Sequence, residues 1–218
     1  IHSSNWREAC CVSVRIGSIS AETVTLGEPV LGTALEISLD GSMELAGGSG
    51  AARLSAQRVD DGPEGQFALD AAYTAETRRL KLDLLVEEGK DGIVAGLLGL
   101  PGTPAITLAA SGVGPVDDLT TDIVLSTAGE RRLTGKVQLS AEDGTRRFAA
   151  DLAGDVTPLL AADYRGFFGD ESRLSVQGAR LPSGRLEISD LSLATAQMTV
   201  EGALALAPGG MPERFDLT

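Results

Sequence analysis

Residues 92–126 read GIVAGLLGLPGTPAITLAASGVGPVDDLTTDIVLS, and two kinds of pattern within them decide the fold. The first, Ile93-Val94-Ala95-Gly96-Leu97-Leu98-Gly99-Leu100, is apolar without alternating. Its length suits one or two helical turns or a buried plug, with Pro101-Gly102 expected to end it. The second kind alternates. Ile106, Leu108 and Ala110 are interleaved with Thr107 and Ala109, and Ile123 and Leu125 with Asp122 and Val124. Successive side chains on a strand point to opposite faces, so each run reads as a strand with one apolar side.

The alternating unit recurs on both sides of this stretch. Val12, Val14 and Ile16 give a weak β signal, closed by the break Gly27-Glu28-Pro29. Leu35, Ile37 and Leu39, then Met43 and Leu45, share a face opposite Glu36, Ser38, Asp40, Ser42 and Glu44. Gly41 in their midst fits a bend, a bulge or a tight turn between two short strands. Ala52, Leu54 and Ala56 follow, then Phe67, Leu69 and Ala71. Leu80, Leu82 and Leu84 stand against Lys81 and Asp83, and Leu133, Val137 and Leu139 against Thr134, Lys136 and Gln138. Phe148, Ala150 and Leu152 continue the pattern, as do Leu174 with Val176, Leu186 with Ile188, Leu191 with Leu193, and Met198, Val200, Leu204 and Leu206. A second non-alternating cluster, Pro158 to Phe168, places Leu160, Tyr164 and Phe167 at helical spacing, with Pro158 suited to a helix start.

The sum is about fourteen short strands and two short helices, with no crossover helix, so the pairing is expected to be mainly antiparallel. The fold class is all-β, a single β-rich segment over 1–218 in which 1–22 is a weakly assigned N-terminal stretch. Strands spaced about 4.8 Å apart give a sheet roughly 65 Å long, which is expected to curve. A sheet with one apolar face must cover it, and folding over on itself makes an apolar-lined trough.

Composition narrows the function. Acidic residues outnumber basic ones 31 to 18, a formal charge of −13. That opposes nucleic acid and anionic headgroup surfaces, both of which select basic faces. Aromatics are 4% of the chain, so the apolar mass is Leu, Val, Ile and Ala. Such an interior is either a lined groove or a small aliphatic core. Cys10 and Cys11 are adjacent, which suits neither a disulfide nor zinc, and leaves two thiols without a framework role. No apolar run reaches the ~20 residues that span a bilayer, and no signal peptide is visible. The chain opens at Ile1 and closes inside a strand-like run, Arg214-Phe215-Asp216-Leu217-Thr218, as an internal fragment of a longer protein would.

No catalytic set converges. His2 stands alone near a terminus, and Trp6 reads as a packing anchor. Gly47-Gly48-Ser49-Gly50 has neither the strand-to-helix switch nor the Lys of a phosphate loop. Asp60-Asp61-Gly62-Pro63-Glu64-Gly65 lacks the spacing and returning Glu of a calcium loop. No catalysis, cofactor or metal is expected. Three Arg pairs, Arg78-Arg79, Arg131-Arg132 and Arg146-Arg147, precede apolar strands. They suit either capture of phosphate headgroups or pairing with acidic neighbours at turns, where charge also blunts strand aggregation.

Three phrases carry a family resemblance: Gly96 to Pro104, Gly112 to Asp118, and Asp155 to Leu160 with Tyr164 and Phe167 following. Together with Arg180 to Leu186 and Arg214 to Leu217, they resemble the TamB family of translocation and assembly modules, alphaproteobacterial type, over residue 23 to the end. TamB-type proteins belong to the AsmA-like bridge proteins. The resemblance implies an inner-membrane anchor outside this segment and a periplasmic β-trough that carries phospholipid acyl chains towards the outer membrane. It also implies a partnership, through regions outside this segment, with a TamA-like outer-membrane barrel of the Omp85 class, linked to autotransporter assembly. The groove lining is expected to be Ile37, Leu39, Leu80, Leu82, Leu84, Ile106, Leu108, Ile123, Leu125, Leu133, Val137, Leu139, Leu174, Val176, Leu186, Ile188, Val200, Leu204 and Leu206. The alternative is a structural or adhesive extracellular β-solenoid domain.

Overall fold

The computed structural model describes residues 13–27 and 34–218. His2, Trp6, Cys10, Cys11 and most of the Gly27-Glu28-Pro29 break lie outside them. The described residues form one 13-stranded sheet. Its strands are β1 (Val14–Leu26), β2 (Leu35–Ala46), β3 (Ser49–Arg58), β4 (Gly65–Thr74), β5 (Arg79–Glu88), β6 (Ile106–Pro115) and β7 (Asp118–Thr127). They continue as β8 (Glu130–Glu142), β9 (Thr145–Gly154), β10 (Ser172–Arg180), β11 (Leu186–Ala194), β12 (Thr199–Leu206) and β13 (Pro212–Leu217). Every strand pairs antiparallel with its neighbours in sequence and with no other, so the sheet is an open meander without a crossover. The expected curved antiparallel sheet is what the chain forms.

Three details differ from the sequence reading. Gly41 is neither a turn nor a break, because β2 runs unbroken through it. The irregularities lie opposite, in β1, where the register shifts between Ile16 and Ile19 and again between Ala21 and Val24. The first short helix, α1 (Ile93–Leu97), ends before Pro101 is reached. Gly99 stops it by taking a left-handed conformation, φ 64°, and the Leu100 amide donates back to the Ala95 carbonyl at 2.9 Å. The second cluster does not make one helical face. Pro158 sits in a 3-10 turn (Thr157–Leu159), Leu160 is extended, and α2 (Ala162–Phe168) starts afresh beyond it. Leu160 is therefore off the helix that carries Tyr164 and Phe167.

Antiparallel hairpins give the sheet two unlike rims. One rim carries compact turns, among them Gly47-Gly48 and Asp143-Gly144, whose positive φ angles suit the twist of two-residue hairpins. The other carries the β3–β4 loop, α1 between β5 and β6, and the 3-10 turn and α2 between β9 and β10. Both helices thus stand on the same rim, four strands apart.

The glycines inside strands follow a rule that explains the curvature. Gly41, Gly112, Gly135, Gly178 and Gly202 all share the face that carries the leucines. At Gly135 a Cβ would lie 1.9 Å from the Asp151 carbonyl oxygen, and at Gly202 it would lie 2.0 Å from that of Asp216. The adjoining strand therefore rises over the apolar face at these points, which only a residue without a side chain permits. Close approaches of this kind on one face favour a bend towards it.

Candidate lipid-facing groove

The register assembles the apolar face strand by strand. One cross-strand row runs Ile19, Gly41, Leu54, Leu69, Leu84 and Ala110, each directly opposite the next. It continues through Ile123, Gly135, Leu152, Leu174, Leu193 and Val200. From β1 to β12 it meets no polar side chain. A parallel row runs from Ala21 through Leu39, Ala56, Phe67, Val86, Leu108 and Leu125 to Leu133. Every residue expected to line a groove, from Ile37 to Leu206, falls on this one face.

Sequence reasoning left Ile19 out of the lining. It follows Ile16 by three residues, and the bulge between them brings both to the same face. No period-two pattern contains that pair. Leu54, Phe67, Leu69, Leu152 and Leu193 were legible as strand faces and take their place in the rows above.

Among the described residues no second sheet covers this face. The chain exposes 14012 Å², whereas a compact monomer of 22.5 kDa exposes about 9,500 Å². Leu35, Ala95, Ile106, Leu119 and Ala205 are the buried apolar residues, and among the described residues no large side chain is fully enclosed. Most of the apolar face is half-buried, and Leu139 is 52% exposed.

One end of the face is partly roofed. Helix α1 sits over β2 to β5, where Ile37, Leu39, Leu54, Phe67 and Val86 meet Ile93, Val94 and Leu97 around an almost wholly apolar cavity of about 390 Å³. Ala95 is completely buried, while Leu97 and Leu98 project from the helix, about three-fifths exposed. The carboxylate of Glu88 holds the roof down. It accepts from the Ile93 amide at 2.6 Å and from the Val94 amide at 2.7 Å, satisfying donors that a helix start leaves free. Tyr164 and Phe167 on α2 are likewise more than half exposed.

The opposite face is charged and paired. Arg53 donates to Asp70 at 2.8 Å, Lys81 pairs with Asp83 at 2.7 Å, and Lys136 lies 3.6 Å from Asp122. Arg53 holds the Asp70 carboxyl below its ordinary value, and Asp83 raises the Lys81 ammonium above its own. A shallow depression of about 630 Å³ crosses this face, floored by Ala68, Leu85 and Ala109 and walled by Arg53, Asp70 and Asp83. Asp60 closes the β3–β4 loop by accepting from the Glu36 amide at 2.9 Å, the Arg58 Nε at 2.6 Å and the Gly62 amide at 2.7 Å. Those donors, the Glu36 amide foremost, depress its pKa.

The three Arg pairs do not gather on one rim. Arg78 and Arg146-Arg147 flank compact turns, and Arg131-Arg132 opens β8 at the other rim. One member of each finds an acid: Arg78 with Asp117 at 2.9 Å, Arg132 with Glu130 at 2.6 Å, and Arg147 with Glu142 at 3.1 Å. Among the described residues no helix is long and apolar enough to cross a membrane. No family model, curated protein or solved structure matches the chain.

Proposed function

We propose that this chain is a segment of a TamB-type, AsmA-like bridge protein whose apolar face conducts phospholipid acyl chains through the periplasm, in a protein anchored in the inner membrane and working with an Omp85-class barrel. The observation that carries the reading is the cross-strand row from Ile19 to Val200. Twelve strand positions at about 4.8 Å spacing give an unbroken apolar track of roughly 50 Å. A hydrocarbon chain sliding along it exchanges one apolar contact for another and strands no polar group, so no position becomes a trap.

The lack of a second sheet over this face among the described residues supports the same reading. Apolar surface left open at this scale destabilises a monomer unless something covers it, and acyl chains cover it without needing hydrogen-bond partners. A peptide lying across the middle of the face would bury its own amides over strands whose backbone groups are already paired. A bend towards the apolar side, favoured by glycines such as Gly135, supplies the walls. The solenoid alternative has no specific observation in its favour, since the strands are joined as antiparallel hairpins and not stacked as coils.

The test is a photo-reactive side chain placed on each face. At position 108 or 137 it captures phospholipid, and at 107 or 138 it does not. Equal capture from both faces, or none from either, overturns the proposal.

A further inference from the structure

Two arginines stand where the sheet gives them no counter-charge. Arg146 on β9 and Arg180 on β10 are direct register partners. Arg146 lies two residues from Phe148 and Arg180 two from Gly178, and Phe148 and Gly178 are themselves partners on the apolar face. The β9–β10 ladder runs without a register shift, so both arginines share that face. Their other register partners are Ala141 on β8 and Leu186 on β11. Both arginines are exposed, and among the described residues neither has a carboxylate within ion-pair distance. Of the acids just before Arg146 in sequence, Asp143 lies beyond that distance and Glu142 is spent on Arg147.

Such a pair needs an explanation. Like charges directly opposite on neighbouring strands repel, their Cβ atoms being only about 5 Å apart. The chain carries 31 acidic residues, yet none is placed between these two. The pair sits at the compact-turn rim, where the apolar face meets water. Immediately inward the Phe148 ring covers Gly178, whose Cβ would lie 2.6 Å from the ring.

We propose that Arg146 and Arg180 form the seat for the phosphate of a phospholipid headgroup, whose acyl chain enters the groove over Phe148. Two guanidinium groups supply a planar set of donors matched to phosphate oxygens, and the anion removes their mutual repulsion. Acyl chains alone would give a track with no preferred entry. This pair would mark one, on the rim opposite α1 and α2. The inference rests on the groove reading and adds headgroup selection to it.

Equilibrium binding of three probes, with amphiphiles kept below micelle formation, tests the seat: a lysophosphatidic acid, the uncharged monoacylglycerol of the same chain, and inorganic phosphate. Wild type binds the lysophosphatidic acid about tenfold more tightly than the monoacylglycerol, the factor of one charge-assisted hydrogen bond. The R146Q/R180Q variant brings the two to parity, R180Q alone gives an intermediate preference, and R79Q, which removes an arginine from the other face, changes nothing. R180Q serves if circular dichroism shows that the double variant has lost its sheet. Equal affinities in wild type, or a preference that survives R146Q/R180Q, overturns the seat while leaving the groove. Phosphate bound as tightly as lysophosphatidic acid makes it a free-anion site and overturns the headgroup assignment. If neither amphiphile binds, the groove reading fails and the seat falls with it.

Discussion

The Glu88 side chain occupies the space that a Cβ on Gly92 would need, its carboxyl carbon lying 2.1 Å from that position. The two residues together fix the roof: one supplies the carboxylate that caps α1, the other leaves room for it. Glu88→Ala should free the Ile93 and Val94 amides, and Gly92→Ala should push the carboxylate aside. Both changes should lower the local opening free energy of α1 by about 1 kcal/mol, the usual worth of a capping interaction. Hydrogen exchange over 93–98 measures it; unchanged protection in both variants would show that packing of Ala95 holds the helix without the cap.

Curvature is open to a direct challenge at Gly135. A Cβ there meets the Asp151 carbonyl oxygen at 1.9 Å, whereas a Cβ on Gly17 meets nothing. Gly135→Ala should therefore lower stability by about 1–3 kcal/mol, as forced overpacking does, and Gly17→Ala should be close to neutral. Urea midpoints compare the two. Equal midpoints would mean that β8 and β9 can part without cost.

Acid should act through Asp60. Its folded pKa is depressed by the Glu36 amide and by Arg58, below an ordinary value of 3.8. Its contribution to stability is thus complete above that value and is lost as pH falls through the folded one. Asp60→Asn should be less stable than wild type at neutral pH, and the gap should close below about pH 4. Denaturation midpoints taken from about pH 7 downwards check this; a gap that does not narrow as pH falls below about 4 would remove the carboxylate from the explanation.

On the apolar face, Leu108 registers with Val86 and Leu125, while Thr107 registers with Glu87 and Ser126. Leu108→Asp puts a carboxylate with no partner into the track, and phospholipid capture from position 137 should fall several-fold. Thr107→Asp should leave capture unchanged, because its side chain lies on the charged face. The sheet signal in circular dichroism should survive in both. Capture that persists in Leu108→Asp would mean the track does not run past β6.

Period-two alternation was enough to place the expected lining residues on one face, because the sheet has one charged and one apolar side and strand residues two apart cannot avoid sharing one. Ile37, Leu108 and Val137 were readable for that reason. Ile19 was not, since a bulge breaks the period that would have identified it. Gly41 misled as punctuation: its cause is the Arg53 carbonyl of the neighbouring strand, 3.1 Å from where a Cβ would stand, and sequence order does not reveal neighbours of that kind. The facing of Arg146 and Arg180 depends on the register between β9 and β10, which a loop containing α2 separates. The Glu88 cap was hidden similarly, because the residue closes a strand and serves a helix further on.

The meander also sets how the chain would carry load. Among the described residues each strand is held by its sequence neighbours alone, so the first and last strands, β1 and β13, are the opposite edges of the sheet. Tension applied between them would meet the hydrogen bonds of one ladder at a time, in series, and peel the sheet hairpin by hairpin. A repeat-like chain with nearest-neighbour coupling yields in steps of that kind. Force spectroscopy should record a staircase of small extensions, and a single high-force rupture would contradict it. A sheet built this way gives before it snaps, and each hairpin can close again on a neighbour that never let go.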